Sequence, residues 1–600
     1  MARISRAVDA IEGKLVAFPE SQGAPSLDRT VSSVPGRSKT GQLIPATPRR
    51  PQPHSNKIQR LFTEILLLLF AECASGTGNP SHSLSISINT LHLGEHGRLR
   101  HSHLPKYNVL ATTLFLSQTC SRWRDLTLST PSLWSKFHID LVGAEKRQMK
   151  DLVRLYIARS MPAPLVLWIE AYDLTSGCAE SDYYGFDDDI PDIPESNELV
   201  PASYIGFFGR SILGLFIKES TRWKRLCLDL PTSLFNGVLG PLSRDLPEPG
   251  SYSHLYQSLQ ELELFWDYHH DSFAAGPFSV DFRNAPKLRS LTLTEFPFTS
   301  HSDCNLPLNL ITTLVLYVSP TWPSLVQIFR LCPRLEKVFL FAGPQHDPET
   351  DTEEHDENQG ELQKQYLKHS DLTCLKLEIE SFATAAAICA ALHVPSLTSL
   401  ELDSSAYSHG GEVLKINSWL QSLQKLMEHC TRLDRFSFID DRTSDPVFVT
   451  DNILSVLASG STLTEVELRM PCSILNNCLF ESLTVSEQTS TILPRLRDLR
   501  IEIIILADGW DFLPDPDIIL SMLSSRTSPN TSINASSDME VSVLESFSLG
   551  VFTDAEALAR GLGVINRVCA WAKDFRSAVE PGLRELARGG LKVRLDLGKE

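Results

Sequence analysis

Nothing in this chain approaches the roughly 20 consecutive apolar residues of a membrane-crossing helix; the apolar stretch Ile65 to Phe70 is closed off by Glu64 and Glu72. The N-terminus carries Arg3, Arg6, Asp9, Glu12 and Lys14, which leave no apolar core for a signal peptide. The twelve cysteines, Cys73 to Cys569, are scattered without the paired short spacings of a zinc site or the density of a disulfide framework. Positive charge is scarce as well. A formal net charge of −18 argues against a general nucleic-acid binder, whose affinity rests on clustered Lys and Arg. Residues 180–198 and 347–361 each hold eight acidic and no basic side chains, and they read as solvated insertions. A soluble protein of the cytoplasm or nucleus is expected, with no membrane and no nucleic-acid partner.

Catalytic signatures are missing too. A phosphate-cradling turn needs GxxxxGK[ST] or GxGxxG, and GTG at 76–78 and GLG at 561–563 lack the further glycine. GRSILG at 209–214 has the wrong spacing for a nucleophile elbow, and HGGE at 409–412 stands alone. His92, His96, His101 and His103 are the best metal candidates, but polar loop composition explains them equally well. The expectation is a non-enzyme with no catalytic residue, no metal and no cofactor.

What is present falls into three parts. Residues 1–56 form a Ser-, Pro- and Arg-rich arm, mildly basic and expected to be disordered. Residues 57–140 read as a small helical unit. In RLFTEILLLLFAEC, Leu61, Ile65, Leu68 and Leu69 follow helical spacing, with Thr63 and Glu64 at the helix start. A loop insertion is expected at about 75–108, then one helix with Val109, Leu116, Cys120 and Trp123 on a single stripe. Thr130 and Pro131 start a short helix carrying Leu133 and Trp134.

From about residue 160 to 600 one unit recurs: apolar, two variable, apolar, one variable, apolar. It occurs as LQELEL (259–264), LRSLTL (288–293), ITTLVL (311–316), LEKVFL (335–340), LTCLKL (372–377), LTSLEL (397–402), LDRFSF (433–438), LTEVEL (463–468), LRDLRI (496–501) and LESFSL (544–549). WKRLCL (223–228) is a degenerate member, PLVLWIE near 164 is a further candidate, and LKVRLDL is a candidate terminal strand. The fourth positions fall 23 to 48 residues apart, and helical stripes precede several units. The fold class is therefore α/β: an irregular leucine-rich-repeat solenoid, a curved parallel sheet with helices outside, behind the helical unit. An ordinary doubly wound α/β sheet is the alternative.

RLFTEILLLLFAEC followed by CSRWRDLTLSTPSLW resembles the F-box-like domain of many fungal proteins, a domain typically followed by irregular leucine-rich repeats. Cys120, Arg122, Trp123, Arg124, Asp125, Leu128, Ser129, Thr130, Pro131, Leu133 and Trp134 sit where that pattern has them, whereas Phe62 stands where it has proline. The resemblance implies a substrate-recognition subunit of a cullin-RING ubiquitin ligase. A Skp-type adaptor would meet Leu61, Ile65, Leu66, Cys120 and Trp123, and a protein target would sit on the repeats. Trp134 is expected to close the small core. Strand alternation turns Glu261, Glu263 and Phe265 outward; with Trp266 and Tyr268 these are the candidate target contacts. A leucine-rich-repeat interaction scaffold not coupled to ubiquitination is the alternative.

Overall fold

Apolar residues at alternate positions, bounded by turns, make one long sheet. The computed structural model describes residues 63–73, 84–88, 107–141, 147–171, 207–230, 256–265, 282–294, 306–320, 322–343, 367–404, 413–440, 449–486, 492–505, 513–527, 541–553 and 562–597. The chain divides into two units, Met1–Leu61 and Phe62–Glu600. The arm, Leu61, Phe62, the four loop histidines, both acidic insertions, Trp266 and Tyr268 lie outside the described residues.

In chain order the first elements are helix α1 (Thr63–Cys73), strands β1 (Leu84–Ile88) and β2 (Tyr107–Leu110), helices α2 (Thr112–Thr119) and α3 (Ser121–Leu128), and a 3-10 turn at Pro131–Trp134. Strand β3 (Lys136–Asp140), helix α4 (Arg147–Arg159), β4 (Leu165–Glu170), α5 (Phe207–Lys218), β5 (Trp223–Asp229), β6 (Glu261–Phe265), β7 (Ser290–Leu293) and β8 (Thr313–Leu316) follow. Next come α6 (Trp322–Leu331), β9 (Lys337–Ala342), β10 (Leu367–Lys368), β11 (Cys374–Ile379), α7 (Phe382–Ala391), β12 (Leu392–His393), β13 (Ser399–Asp403), α8 (Val413–His429) and β14 (Arg435–Ile439). The chain continues through α9 (Thr450–Ser459), β15 (Glu465–Pro471), α10 (Asn477–Leu483), β16 (Asp498–Ile505), α11 (Pro516–Thr527), β17 (Ser546–Thr553), α12 (Leu562–Arg588) and β18 (Lys592–Leu597).

All strands but the short pair β10 and β12 join one open sheet of 16 strands, in the order β18-β17-β16-β15-β14-β13-β11-β9-β8-β7-β6-β5-β4-β3-β1-β2. Every pairing in it is parallel except that of β1 with β2. Only the antiparallel β2 lies on the far side of β1; from β3 to β18 the strand order follows the chain without reversal, unlike that of a doubly wound fold. It is the sequential order of a solenoid-like α/β array, in which each element packs on its neighbours in the chain.

The repeat reads directly onto this sheet. The fourth positions, Leu226, Leu262, Leu291, Leu314, Val338, Leu375, Leu400, Phe436, Val466, Leu499 and Phe547, are register partners of one another from β5 to β17. All are buried. The two candidate units, PLVLWIE and LKVRLDL, join the same row through Leu167 upstream and Val593 downstream. Just before the strands, a main-chain ladder runs across the sheet: each N–H in the series Gln260, Arg289, Thr312, Glu336, Thr373, Thr398, Asp434, Thr464, Arg497 and Glu545 donates to the preceding member's carbonyl at 2.8–2.9 Å, starting from Lys224. These bonds tie the backbone of each turn to that of the next repeat, so spacing between repeats can vary while register does not.

Two expectations need correction. Parts of the expected loop at 75–108 are strands: β1 lies between β2 and β3 in the main sheet, so the sheet runs on into the N-terminal helical unit. Leu84 and Ile86 are fully buried, which is the gain from adding this strand. The single helix expected from Val109 through Trp123 is instead the end of β2 and two helices. Cys120 is extended (φ −158°, ψ 169°), and this breaks the helical period between Leu116 and Trp123.

Candidate functional site: two exposed faces

The N-terminal helices are held by aromatic packing. Trp134 is fully buried, and its Nε1–H donates to the Thr127 carbonyl at 2.7 Å. Its ring meets Tyr156 edge-on at 4.9 Å and lies 4.5 Å beneath the Arg159 guanidinium. Trp134 therefore closes the core, as its place in the sequence implies. The Tyr156 hydroxyl accepts from the Leu114 N–H at 3.1 Å; burial pushes its pKa up, against the lowering effects of that bond and of Arg159. Pro131 occupies the first turn, but the Thr130 hydroxyl donates back to the Leu126 carbonyl and leaves the new turn uncapped.

On α1 the helical period separates two roles. Leu66 and Phe70, four residues apart, are buried, and the Phe70 ring meets Trp123 edge-on at 4.8 Å. Ile65 and Leu68 share another face and remain 42% and 71% exposed. Of the five expected adaptor contacts, Leu61 lies outside the described residues, Ile65 is exposed, and Cys120 and Trp123 are partly exposed. Leu66 is buried in the core, and Leu68 stands on the outer face beside Ile65.

The second face is the open side of the sheet. In β6, Leu262 and Leu264 are buried while Glu261, Glu263 and Phe265 point to the open side, as alternation predicts. Lys376 and Glu378 do the same on β11, and Glu465 and Glu467 on β15. Arg225 spans two carboxylates of the next strand, 3.5 Å from Glu261 and 2.5 Å from Glu263. Arg435–Glu465 (2.9 Å) and Arg500–Glu467 (3.1 Å) continue the pattern, and Arg500 also holds the buried Glu502. Exposed pairs of this kind contribute about 0–1 kcal/mol each, so their main effect is to fix side-chain positions.

Aromatic rings cross the N-terminal half of this face. His138 meets Trp168 at 5.9 Å, Trp168 stacks on Phe265 at 6.5 Å with planes 20° apart, and Phe265 meets Tyr317 at 5.5 Å. Lys376 Nζ sits 5.1 Å over the Phe339 ring. Asp140, Glu170, Asp229 and Phe265 share one register row towards the strand ends, and Phe341, Glu378 and Asp403 share another stretch of it. Burial, reinforced by Glu263 and Glu378, raises the Tyr317 pKa; burial, then Asp403, raises that of Glu378. The Cys227 thiol lies under this face, and burial with Glu263 and Asp229 pushes its pKa up, which keeps it protonated and unreactive.

Sequence reasoning missed His138, Trp168 and Tyr317. The signals were there, in KFHID, in the LVLWIE unit and in the residue after ITTLVL, but only the register brings them beside Phe265. Ser85 Oγ lies 3.2 Å from His138 Nδ1, and His138 Nε2 lies 3.0 Å from Glu170 Oε2. This hydroxyl–imidazole–carboxylate line sits on strands bonded on both sides, so their N–H groups are committed to the ladder rather than free to hold an oxyanion.

Among the described residues, no group of three or more His, Cys, Asp or Glu side chains is placed to hold a metal ion, and no helix is long and apolar enough to cross a membrane. No family model matches the chain, and no curated protein matches it.

Proposed function

We propose that this chain is a non-catalytic substrate-recognition subunit of a Skp-cullin-F-box type ubiquitin ligase. It is an F-box-like helical unit followed by an irregular leucine-rich-repeat array. In this reading α1 and α3 dock a Skp-type adaptor, and the open face of the repeats holds a protein target for ubiquitin transfer. The observation that carries it is the outward apolar face of α1, where Ile65 and Leu68 are exposed beside the Phe70–Trp123 pair, in the segment whose sequence resembles the family. Large apolar side chains kept in water, with Trp and Arg alongside, are what a docking face supplies. A second reading, a leucine-rich-repeat scaffold not coupled to ubiquitination, is favoured by the burial of Leu66, which withdraws one expected adaptor contact.

Co-purification of the full chain with a Skp-type adaptor separates the two. Wild type retains the adaptor, while Ile65→Asp combined with Trp123→Ala loses it. A wild-type chain that brings down no adaptor contradicts the ligase reading and leaves the scaffold.

A further inference from the structure

The aromatic line and the carboxylates of the open face form one chemical surface. Trp168, Phe265 and Tyr317 make a continuous apolar strip, and Tyr317 is 52% exposed at its end. In the register row from β3 to β13 that carries Phe265, Glu378 and Asp403, no lysine or arginine occurs among the described residues. Burial raises the pKa of both Tyr317 and Glu378, and neighbouring carboxylates add to each shift, while Lys376 on the same face of β11 pulls Glu378 part of the way back. Aromatic faces attract cations through their quadrupole, and carboxylates beside them add charge-assisted hydrogen bonds. A phosphate-bearing ligand would be repelled. A second copy of the chain, at a net charge of −18, would set acid against acid.

We propose that the open face between β4 and β13 binds an extended, arginine- or lysine-bearing segment of a target protein. Its cationic side chains lie over the Trp168–Phe265–Tyr317 strip and against Glu378 and Asp403. This rests on the reading of the open face as the target-binding surface, and gives that target its chemistry.

The test is fluorescence anisotropy on the full chain with a labelled peptide of alternating Arg and Ser, and with a matched peptide carrying Glu in place of Arg. Wild type binds the Arg peptide and not the Glu peptide, and binding weakens as salt is raised. Glu378→Lys lowers affinity about tenfold and Tyr317→Ala about threefold to tenfold. Glu545→Lys, an equal charge change on the exposed turn before β17, leaves it within about twofold, as expected for a charge beyond screening distance. Cooperative melting of each variant by circular dichroism shows that it folds. Absence of wild-type binding, equal binding by all variants, an equal loss in Glu545→Lys, or displacement of the peptide by spermine at equal charge overturns the proposal. Adaptor affinity is measured on the same preparations: adaptor binding without peptide binding overturns this inference alone, and peptide binding without adaptor binding overturns only the ligase reading.

Discussion

Arg526 on α11 is fully buried, and its guanidinium is spent on main-chain carbonyls. Nε donates to Leu483 at 2.7 Å, Nη1 to Leu493 at 3.0 Å and Nη2 to Ile492 at 2.6 Å. These carbonyls belong to the end of α10 and to the turn before β16, where Leu493 is held at φ 56°, a left-handed conformation costing about 1–2 kcal/mol in a residue with a side chain. Burial pulls the Arg526 pKa down to about 10, so the site disfavours the charge and the carbonyls hold it there. Arg526→Met keeps the volume and strands two buried acceptors and a part-buried one. Each hydrogen bond to a charged donor is worth roughly 1.5–3 kcal/mol, and removing the desolvated cation returns part of the total, which leaves a net loss of about 3–5 kcal/mol. Arg526→Lys, with a point charge in place of a fork, loses about half as much. In a repeat array the damage is local. Hydrogen exchange followed by mass spectrometry is therefore the assay: protection falls in β16, in α10 and at the Leu544 amide, which donates to the Arg526 carbonyl, while β5 and β6 keep theirs. Unchanged protection in Arg526→Met, or a loss spread evenly to β5, refutes the reasoning.

Two further substitutions probe the N-terminal core and the open face. Trp134→Phe keeps most of the packing but removes the Nε1–H bond to Thr127; it costs about 1–2 kcal/mol, read as a lower Tm with earlier exchange in α3. Glu378 titrates above its ordinary range in the folded chain, so it opposes folding wherever the unfolded carboxyl is ionised and the folded site resists ionisation. That penalty is absent below the ordinary glutamate range, grows with rising pH and is complete above the raised folded value. Glu378→Gln accordingly raises Tm at pH 8, and the difference closes towards about pH 4. A difference that widens on acidification contradicts the assignment.

The repeats were legible in the sequence because burial alternates with period 2 and each LxxLxL unit carries its own inward pair. Leu262 and Leu264, or Phe436 and Phe438, mark the inner face by their spacing alone. The spacing of 23 to 48 residues did not obscure this, since the ladder from Lys224 to Glu545 sets the register and leaves the connections free to vary. The N-terminal unit was less legible. LSISI and YNVL are short and lie in polar surroundings, and they become strands only because β3 offers an edge. The stripe from Val109 to Trp123 keeps helical spacing across a residue that is extended, because a period cannot report a break that preserves the face. On α1 four consecutive leucines, Leu66 to Leu69, make the inward position ambiguous, and only tertiary packing, seen in the Phe70–Trp123 pair, turns Leu66 and Phe70 in and Leu68 out. The open face is readable strand by strand but not across strands: alternation turns Glu261, Glu263 and Phe265 outward, whereas the line through Trp168 to Tyr317 exists only in the assembled sheet.

The claim that α1 is a docking face is tested most directly by titrating a purified Skp-type adaptor into the full chain by calorimetry, with wild type beside Leu68→Glu. Leu68 is 71% exposed, so the substitution leaves Tm unchanged. One adaptor binds per wild-type chain, and Leu68→Glu lowers the affinity about a hundredfold, the effect of setting a charge in an apolar interface. No heat of binding in wild type, or equal affinity in the two proteins, contradicts it.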